Sequence, residues 1–531
     1  MEQKNGLRSS FYNIFRIAVV IIFELLLIYI IFMVIGFGNT LNYTCKKTFE
    51  LFNYQLLIIG LILVASIMIV LRKFNDKLEK ILSKDTAIIF ATCILIMIQI
   101  VISCNVYFQT GWDVEILLKN AQKIASNDIS SITTGYFSIY PNNIFLLWLF
   151  SLFYKFFALF NVDALLPIIM LQCVISSLSG YFIFKIVKEF TNSFTSSWIA
   201  WGIYIALLGV SPWLVIPYSD SMGLIFPIAI IRIYQIIKNK RFVLVKWFSI
   251  GIFSFVGYMI KPQIFIVFIA IIVIEAMQFV KEKDCGLIRR LNIKSLISLL
   301  LSILVCFGIY VSAFNLIGIK INKEKKLGAA HFVMMGLNTE TNGVYSLDDV
   351  KFSGSFSTKK DRNAANIEEI KSRLDDMGIS GLTKHTGRKT LVVFADGTFS
   401  WGMEGNFYKG EGRAPFKNMS EFLKSVLWSN GKYYNVFSTA EQFMWIMVIT
   451  FCLAAPLCVK KIKDGNKKTE VLVIMLSIIG LTLFELIFEA RARHLISYIP
   501  LYIVLSVISS KYLFGSIFEL KNKFKIKKAN L

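Results

Sequence analysis

Long uninterrupted runs of apolar residues, separated by short polar segments, are the dominant pattern of this chain. The clearest runs are Ile17–Ile35, Leu56–Leu71, Ile88–Ile102 and Leu296–Ile317. A helix of about 20 apolar residues crosses about 30 Å of hydrocarbon, and each run is near or above that length. The pattern therefore predicts an all-α polytopic membrane protein. Because no small-residue cleavage site follows the first run, we expect a retained helix there rather than a signal peptide.

Basic residues sort the polar segments into two alternating groups, which sets the predicted topology. Lysine and arginine crowd the segments 72–84, 238–246, 281–294, 460–468 and 511–528. Cytoplasmic loops carry such an excess, so we expect both termini to face the cytoplasm. About twelve membrane spans follow from this alternation, at 14–36, 54–71, 86–107, 164–184, 195–210, 221–237, 244–260, 262–280, 295–318, 441–459, 470–488 and 495–511.

Residues Asn143–Phe160 are apolar enough to span the membrane but are predicted not to. If they spanned it, every later loop would change sides and the lysine-rich loops would face outward. Trp148, Tyr154 and Lys155 also suit the depth of a membrane interface. We therefore predict a juxtamembrane helix within a large first outer loop, residues 108–163.

The predicted organisation has four parts. Residues 1–85 hold two spans and a cytoplasmic loop, residues 86–318 form the transmembrane core, residues 319–440 are extracellular, and residues 441–531 hold three spans and a basic tail. The extracellular segment is polar, with apolar residues at helical spacing and glycine-rich turns, so we expect a small α/β outer domain. Gly378 is predicted to end a helix within it.

The net charge of +23 belongs to a chain that is 56% hydrophobic. Because the basic residues lie in short segments between spans, the charge follows the membrane pattern and argues against nucleic-acid binding. Eight cysteines and three histidines show no spacing typical of a disulfide framework or a zinc site. We therefore expect the chemistry of this protein at a face of the membrane.

Acidic residues stand out at two positions of the predicted outer face. Asp113 and Glu115 open the first outer loop, and Asp220 follows Tyr218 in the next one. A carboxylate at this boundary can act as a general base or hold a divalent cation such as Mg²⁺ or Mn²⁺, for which Asp113 and Asp220 are the candidate ligands. The plainer interpretation is a solvated acidic residue at the start of a helix, and the sequence leaves both open.

Polar side chains also precede the predicted juxtamembrane helix. Tyr140, Asn142 and Asn143 flank Pro141, which biases the residue before it toward an extended backbone. These side chains are suited to lining a polar cleft. Either asparagine can instead cap the following helix, and the two roles are compatible.

Basic residues on the same face are candidates for binding a phosphate. Lys261 lies between two spans, and Arg491, Arg493 and His494 form a cluster at the outer end of another. The planar guanidinium group suits bidentate phosphate binding. Glu489 offers the alternative that the cluster is neutralised internally, and the sequence does not decide between them.

The order and sidedness of these motifs resemble the membrane-embedded GT-C glycosyltransferases, which include protein O-mannosyltransferases, the aminoarabinose transferase acting on lipid A and Gram-positive cell-envelope enzymes. That family has an acidic residue after a span in a large first outer loop, here Asp113, and a second in the next outer loop, here Asp220. The Gram-positive members are similar at Tyr218-Ser219-Asp220, Lys261-Pro262 and Glu489–His494. The resemblance covers residues 86–511, so two extra spans precede it.

The resemblance implies transfer of a sugar from a polyprenyl-phosphate donor to a cell-envelope acceptor (a teichoic acid, another glycan, a lipid or a protein) at the outer face of the cell membrane. It implies Asp113 as the base, inversion at the anomeric carbon, and Lys261, Arg491 and Arg493 on the leaving phosphate. Asp220 would position Asp113 or share a metal with it. The main alternative is a flippase for lipid-linked glycans, although transporters place ionisable residues near the bilayer midplane and here they cluster at one face.

Overall fold

The computed structural model describes residues 2–38, 51–236, 242–281, 293–405 and 408–529. Much of the predicted basic loops at 238–246 and 281–294 lies outside these residues. Within them, two short segments are strands, β1 (Phe108–Thr110) and β2 (Tyr408–Glu411). The α-helices are, in chain order, α1 (Glu2–Phe37), α2 (Asn53–Leu82), α3 (Asp85–Val106), α4 (Trp112–Ala125), α5 (Thr134–Ile139), α6 (Ile144–Ala158), α7 (Leu165–Thr191), α8 (Phe194–Tyr204), α9 (Ser219–Met222), α10 (Ile225–Ile236), α11 (Val243–Ile260), α12 (Phe265–Lys281), α13 (Ile293–Ile317), α14 (Ala329–Gly336), α15 (Leu347–Gly354), α16 (Lys359–Phe394), α17 (Lys417–Leu427), α18 (Tyr434–Cys452), α19 (Ala455–Lys461), α20 (Gly465–Ile487) and α21 (Ile499–Ala529).

Eight helices in the described part of the chain are long and apolar enough to cross a membrane, namely α1, α2, α3, α7, α11, α13, α20 and α21. Helices α18 and α19 meet at a bend of 40° and make a ninth if they form one span. The predicted spans at 195–210, 221–237 and 262–280 coincide with the shorter helices α8, α10 and α12. The prediction of an all-α polytopic membrane protein is therefore confirmed, whereas twelve spans remain a prediction.

Contacts between helices give the bundle two distinct ends. Lys185 in the last third of α7 pairs with Asp85 at the start of α3, with 3.0 Å between the charged atoms. Gln172, nearer the start of α7, donates a hydrogen bond to the carbonyl of Ile216 in the loop before α9 (2.8 Å). We call the end that carries Lys185 the basic end and the end that carries Ile216 the site end.

Helix α6 corresponds to the predicted juxtamembrane helix. It has 15 residues, fewer than the roughly 20 that a spanning helix needs. Before it, Asn143 donates a hydrogen bond to the hydroxyl of Tyr136 (2.7 Å). After it, the side chain of Asp163 accepts one from the amide of Leu165, where α7 begins at the site end (3.0 Å). The chain thus enters and leaves α6 at the same end of the bundle.

The segment 319–440 is mainly helical, which differs from the predicted α/β composition. In its described residues β2 is the only strand, and it pairs in antiparallel fashion with β1 from the first loop, with Phe108 opposite Glu411. Gly378 interrupts α16 with a φ of +54°, which glycine adopts without steric cost, but helix resumes after it. The predicted stop signal is therefore a kink. Leu391–Phe394 forms the buried end of α16.

Helix α17 lies beside the site end of α3. The hydroxyl of Ser420 donates to the carbonyl of Asn105 (2.6 Å), and the amide of Phe416 donates to the side chain of Asn105 (3.1 Å). Phe416 and Phe422 point away from the protein, with exposed fractions of 59% and 62%. Helix α17 therefore presents an apolar face that the described part of the protein does not cover.

Candidate functional site

The site is built around Asp113, in the first turn of α4. The preceding residue, Trp112, has a φ of +51°. A bulky residue rarely adopts this left-handed conformation, which costs about 1–3 kcal/mol and persists only where the surroundings enforce it. The turn directs the Trp112 ring toward Tyr218, with 5.0 Å between ring centroids. Backbone strain thus accompanies the placement of Asp113.

Two tyrosines lie at the carboxylate of Asp113. The hydroxyl of Tyr218 donates to Oδ2 of Asp113 (2.9 Å), and Tyr136, whose hydroxyl accepts from Asn143, lies near the same carboxylate. Burial, followed by the neighbouring negative charge, raises the pKa of Tyr218 well above its usual value, and the pKa of Tyr136 rises for the same reasons. Both phenols therefore stay neutral, and the hydrogen bond from Tyr218 orients the carboxylate.

Asp220 and Lys261 form a buried ion pair next to this carboxylate. Their side chains are 3% and 7% exposed, and Nζ of Lys261 donates to Oδ1 of Asp220. The second oxygen of Asp220 lies 3.7 Å from Nε of Arg493. The structure therefore places Asp220 against two cations, and the side chain that hydrogen-bonds Asp113 is that of Tyr218.

Arg493 links the ion pair to Asp113. Its guanidinium carbon lies 4.3 Å from the centroid of the Trp112 ring and 5.5 Å from that of Tyr218, which is cation–π geometry. Its Nε also lies 3.2 Å from Oε2 of Glu404. A buried guanidinium thus lies against the two aromatic side chains next to the candidate base, Asp113.

Arg491 is neutralised from two sides. Its Nη1 lies 2.9 Å from Glu404, and its Nε lies 2.8 Å from Glu489. Internal neutralisation by Glu489, which the sequence left open, is therefore what the structure shows for Arg491. Glu404 consequently bridges Arg491 and Arg493.

His494 faces Glu485 at the end of α20. Its Nδ1 lies 3.1 Å from both carboxylate oxygens of Glu485. Burial and the nearby cations, Lys261 first, lower the pKa of His494 well below its usual range. The imidazole is therefore neutral, and its Nδ1 shares a hydrogen bond with the carboxyl group of Glu485. The carbonyl of His494 in turn accepts from Gln263, which follows Lys261 closely in sequence (2.7 Å).

The remaining predicted site residues divide into two groups. Tyr140 lies beside Tyr136, with 5.3 Å between ring centroids, and Asn143 is buried against Tyr136. Asn142 is exposed and donates only to Asn143 among the described residues (3.3 Å). Glu115 pairs with Lys119 one turn along α4 (2.6 Å) and has no contact with the cluster around Asp113 in the described residues. The structure thus brings Tyr140 and Asn143 to the site but not Glu115.

Asp113 and Asp220 are the candidate ligands for a divalent cation, a role that the sequence left open. The described residues contain no group of three or more His, Cys, Asp or Glu side chains able to hold a metal ion. Asp220 is already matched by Lys261 and Arg493, and a divalent cation there would face both positive charges. Asp113 alone would leave most of the coordination sphere of Mg²⁺ to water and substrate.

The outer segment fixes the loop that carries the basic motif. Lys389 in α16 donates to the carbonyls of Gly336 (2.9 Å) and Phe488 (2.6 Å), and only 1% of its surface is exposed. The amide of Ala490 donates to the carbonyl of Gly343 (2.8 Å). Helices α14 and α16 therefore hold the chain between α20 and α21 in place.

Sequence reasoning missed two contributors to the site. Trp112 was seen only as a neighbour of Asp113, and nothing in the sequence indicates its left-handed backbone. Glu404 lies in the outer segment, yet it contacts Arg491 and Arg493, some ninety residues further along the chain. Its only sequence signal is an acidic residue in the glycine-rich stretch Trp401–Gly405.

The assembled geometry is that of a polar centre at one end of a helical bundle. It joins carboxylates, buried cations and aromatic side chains from α4, the beginning of α9, the turn between α11 and α12, the outer segment and the loop after α20. No curated protein and no solved structure shows significant similarity to this chain. A family model does match, over residues 11–514. The chain thus belongs to the family described as conserved hypothetical integral membrane protein.

Proposed function

We propose that this protein is a GT-C-like membrane glycosyltransferase that moves a sugar from a polyprenyl-phosphate donor to a cell-envelope acceptor. The observation that supports this most is that Tyr218, which hydrogen-bonds Asp113, also lies against the guanidinium of Arg493. The buried pair of Asp220 and Lys261 lies on the other side of that guanidinium. Transfer from a lipid phosphate needs a base for the acceptor and positive charge for the leaving group. This cluster supplies both within one polar centre.

In the proposed reaction the hydroxyl oxygen of the acceptor attacks the anomeric carbon of the sugar, and Asp113 accepts the proton of that hydroxyl. The bond from that carbon to the phosphate oxygen breaks, and the lipid phosphate leaves with the electron pair. A single displacement of this kind inverts the anomeric configuration. Neutral Tyr218 keeps Asp113 oriented by donating a hydrogen bond to it.

The three cations have unequal roles in this proposal. Arg491 is matched by Glu489, and Lys261 by Asp220. Arg493 lies closest to Trp112 and so to the base. We therefore assign the main contact with the leaving phosphate to Arg493, with Lys261 and Asp220 holding its position.

The proposed topology has twelve spans, both termini in the cytoplasm and the site end outside. Its support is the charge excess at the basic end and the placement of every candidate site residue at the opposite end. Residues 319–440 are then external. The apolar face of α17, with Phe416 and Phe422, continues the lipid-facing surface of α3 and would lie in the membrane interface.

Cysteine labelling tests this topology. A cysteine at Ser355, which is exposed in the outer segment, should react with a membrane-impermeant reagent in intact cells. One at Ser83, exposed between α2 and α3, should react only after the membrane is opened. Equal labelling of both positions in intact cells would contradict the proposed sidedness.

Replacement of Arg493 by lysine tests the phosphate contact. Lysine keeps the charge but loses the planar fork and the stacking on Trp112, so we expect Arg493→Lys to lower activity by about 10-fold or more. Arg491→Lys should also impair activity, because one ammonium cannot reproduce its contacts with Glu404 and Glu489. Arg413→Lys, at an exposed position, is the matched control.

The measurement is glycan analysis of the envelope from a strain that lacks the protein, complemented with each variant. Wild type and Arg413→Lys should restore a missing sugar, whereas Arg493→Lys should restore little of it. Full restoration by Arg493→Lys at equal protein level would remove this arginine from phosphate recognition. An envelope whose glycans are unchanged by the deletion would count against the proposed function itself.

A further inference from the structure

The charges of the site are already balanced without a substrate. The cations Lys261, Arg491 and Arg493 face the carboxylates of Asp220, Glu404 and Glu489. Asp113 adds a further negative charge beside them. An incoming phosphate would therefore meet a centre with no excess positive charge. For an arginine to bind the phosphate, one carboxylate must first break its ion pair with that arginine.

Glu404 differs from the other two carboxylates in the quality of its contacts. One oxygen of Glu404 lies 2.9 Å from Nη1 of Arg491. The other, Oε2, lies 3.2 Å from Nε of Arg493, but the two atoms do not form a hydrogen bond, and neither has another hydrogen-bond partner within the described residues. Arg493 is only 8% exposed. A buried guanidinium nitrogen is thus left without the aligned acceptor that such groups normally have.

The backbone around Glu404 is also irregular. Its segment, Trp401–Gly405, is a single wide helical turn that follows two residues with positive φ, Phe399 and Ser400. Asp220, by contrast, is in a helical turn and buried against Lys261. Of the carboxylates that balance the cluster, Glu404 is the one with a buried oxygen, Oε2, that has no hydrogen-bond partner within the described residues.

We propose that Glu404 occupies, in the free protein, the position of a phosphate group between Arg491 and Arg493, and that a phosphate ester displaces it on binding. This inference deepens the proposed function and rests on it for the identity of the natural ligand. A phosphate presents more acceptor oxygens than a carboxylate and can supply the aligned acceptor that Nε of Arg493 lacks. Exchange of one anion for another also keeps the buried charges balanced.

Binding of three probes to purified protein in detergent tests this inference. The probes are a polyprenyl monophosphate, phosphatidylglycerol and inorganic phosphate, which share the phosphate chemistry but differ in source. Glu404→Gln removes the competing charge, so we expect it to bind the polyprenyl monophosphate about tenfold or more tightly than wild type. Glu421→Gln, on the exposed face of α17, should bind as wild type does.

The outcomes show which of the three phosphates the site binds, and they distinguish a failure of this inference from a failure of the proposed function. A larger gain with phosphatidylglycerol or inorganic phosphate keeps the anion site and reassigns its ligand. Unchanged or weaker binding of all three probes by folded Glu404→Gln overturns the inference. If Glu404→Gln binds a probe more tightly but the wild-type protein transfers no sugar, the anion site is retained and the transferase proposal is rejected. If the wild-type protein transfers sugar but Glu404→Gln shows no gain in binding, the transferase proposal is retained and the displacement of Glu404 is rejected.

Hydrogen exchange of the wild-type protein provides a second measurement that needs no variant. If the phosphate displaces Glu404, amides of Trp401–Gly405 should exchange faster when the polyprenyl monophosphate is bound, while those near Arg491 and Arg493 exchange more slowly. Unchanged or slower exchange of Trp401–Gly405 would contradict displacement, even if Glu404→Gln failed to fold.

Discussion

Replacement of Asp113 by asparagine should lower turnover by about 10²–10⁴-fold, the usual cost of losing a general base. Asparagine has nearly the same size and can still accept a hydrogen bond from Tyr218, so the fold and the orientation of the side chain should survive. The measurement is the rate of sugar transfer by purified protein, together with its thermal unfolding. Only the rate should change.

Glu115→Gln provides the comparison within the same helix. Glu115 pairs with Lys119 on the opposite side from the cluster, so we expect this variant to retain most of its activity. Near-normal transfer by Asp113→Asn would remove Asp113 from the mechanism. A large loss in Glu115→Gln alone would show that the structure assigns the base to the wrong carboxylate.

Loss of Lys261 should be the most destabilising single change in the site. Its removal leaves the carboxylate of Asp220 buried, with Arg493 at 3.7 Å as its remaining neighbour. Breaking a buried ion pair from one side costs about 3–5 kcal/mol. We therefore expect Lys261→Met to lower the midpoint of thermal unfolding in detergent markedly, as should Asp220→Asn, which leaves the ammonium unmatched.

The double variant separates stability from activity. Lys261→Met combined with Asp220→Asn removes both charges, so it should recover much of the stability lost by either single change. Activity should not return, because Arg493 has lost the carboxylate that helps to hold it. Additive destabilisation in the double variant would contradict a coupled pair, and recovery of full activity would show that the pair is dispensable for function.

The membrane architecture could be predicted from sequence because it depends on local properties. The apolar runs predicted α1, α2, α3 and α13 directly. Pro141 indicated where α6 begins, and the aromatic residues within α6 indicated a helix at the membrane interface. The kink at Gly378 was mistaken for a helix end, because a glycine favours a left-handed backbone but does not determine whether helix resumes after it. The strand pairing of β1 with β2 joins segments some three hundred residues apart and leaves no local signal.

The site was only partly predictable for a related reason. Charged residues at the ends of spans identified Asp113, Asp220, Lys261 and Arg493, since ionisable groups near a bilayer are costly unless they have a role. Which carboxylate matches which cation depends on tertiary packing, so the partnership of Asp220 with Lys261 could not be read from the sequence. The bridging position of Glu404 likewise depends on how the outer segment packs against the loop after α20.

Sugar transfer by the purified protein in detergent tests the central claim most directly. No membrane barrier exists there, so a flippase has nothing to translocate, whereas a transferase retains its chemistry. We predict that labelled sugar moves from a polyprenyl-phosphate donor to an envelope acceptor with inversion at the anomeric carbon, and that Asp113→Asn abolishes nearly all of the product. Absence of product with every donor and acceptor pair, together with facilitated lipid translocation in liposomes, would contradict the account.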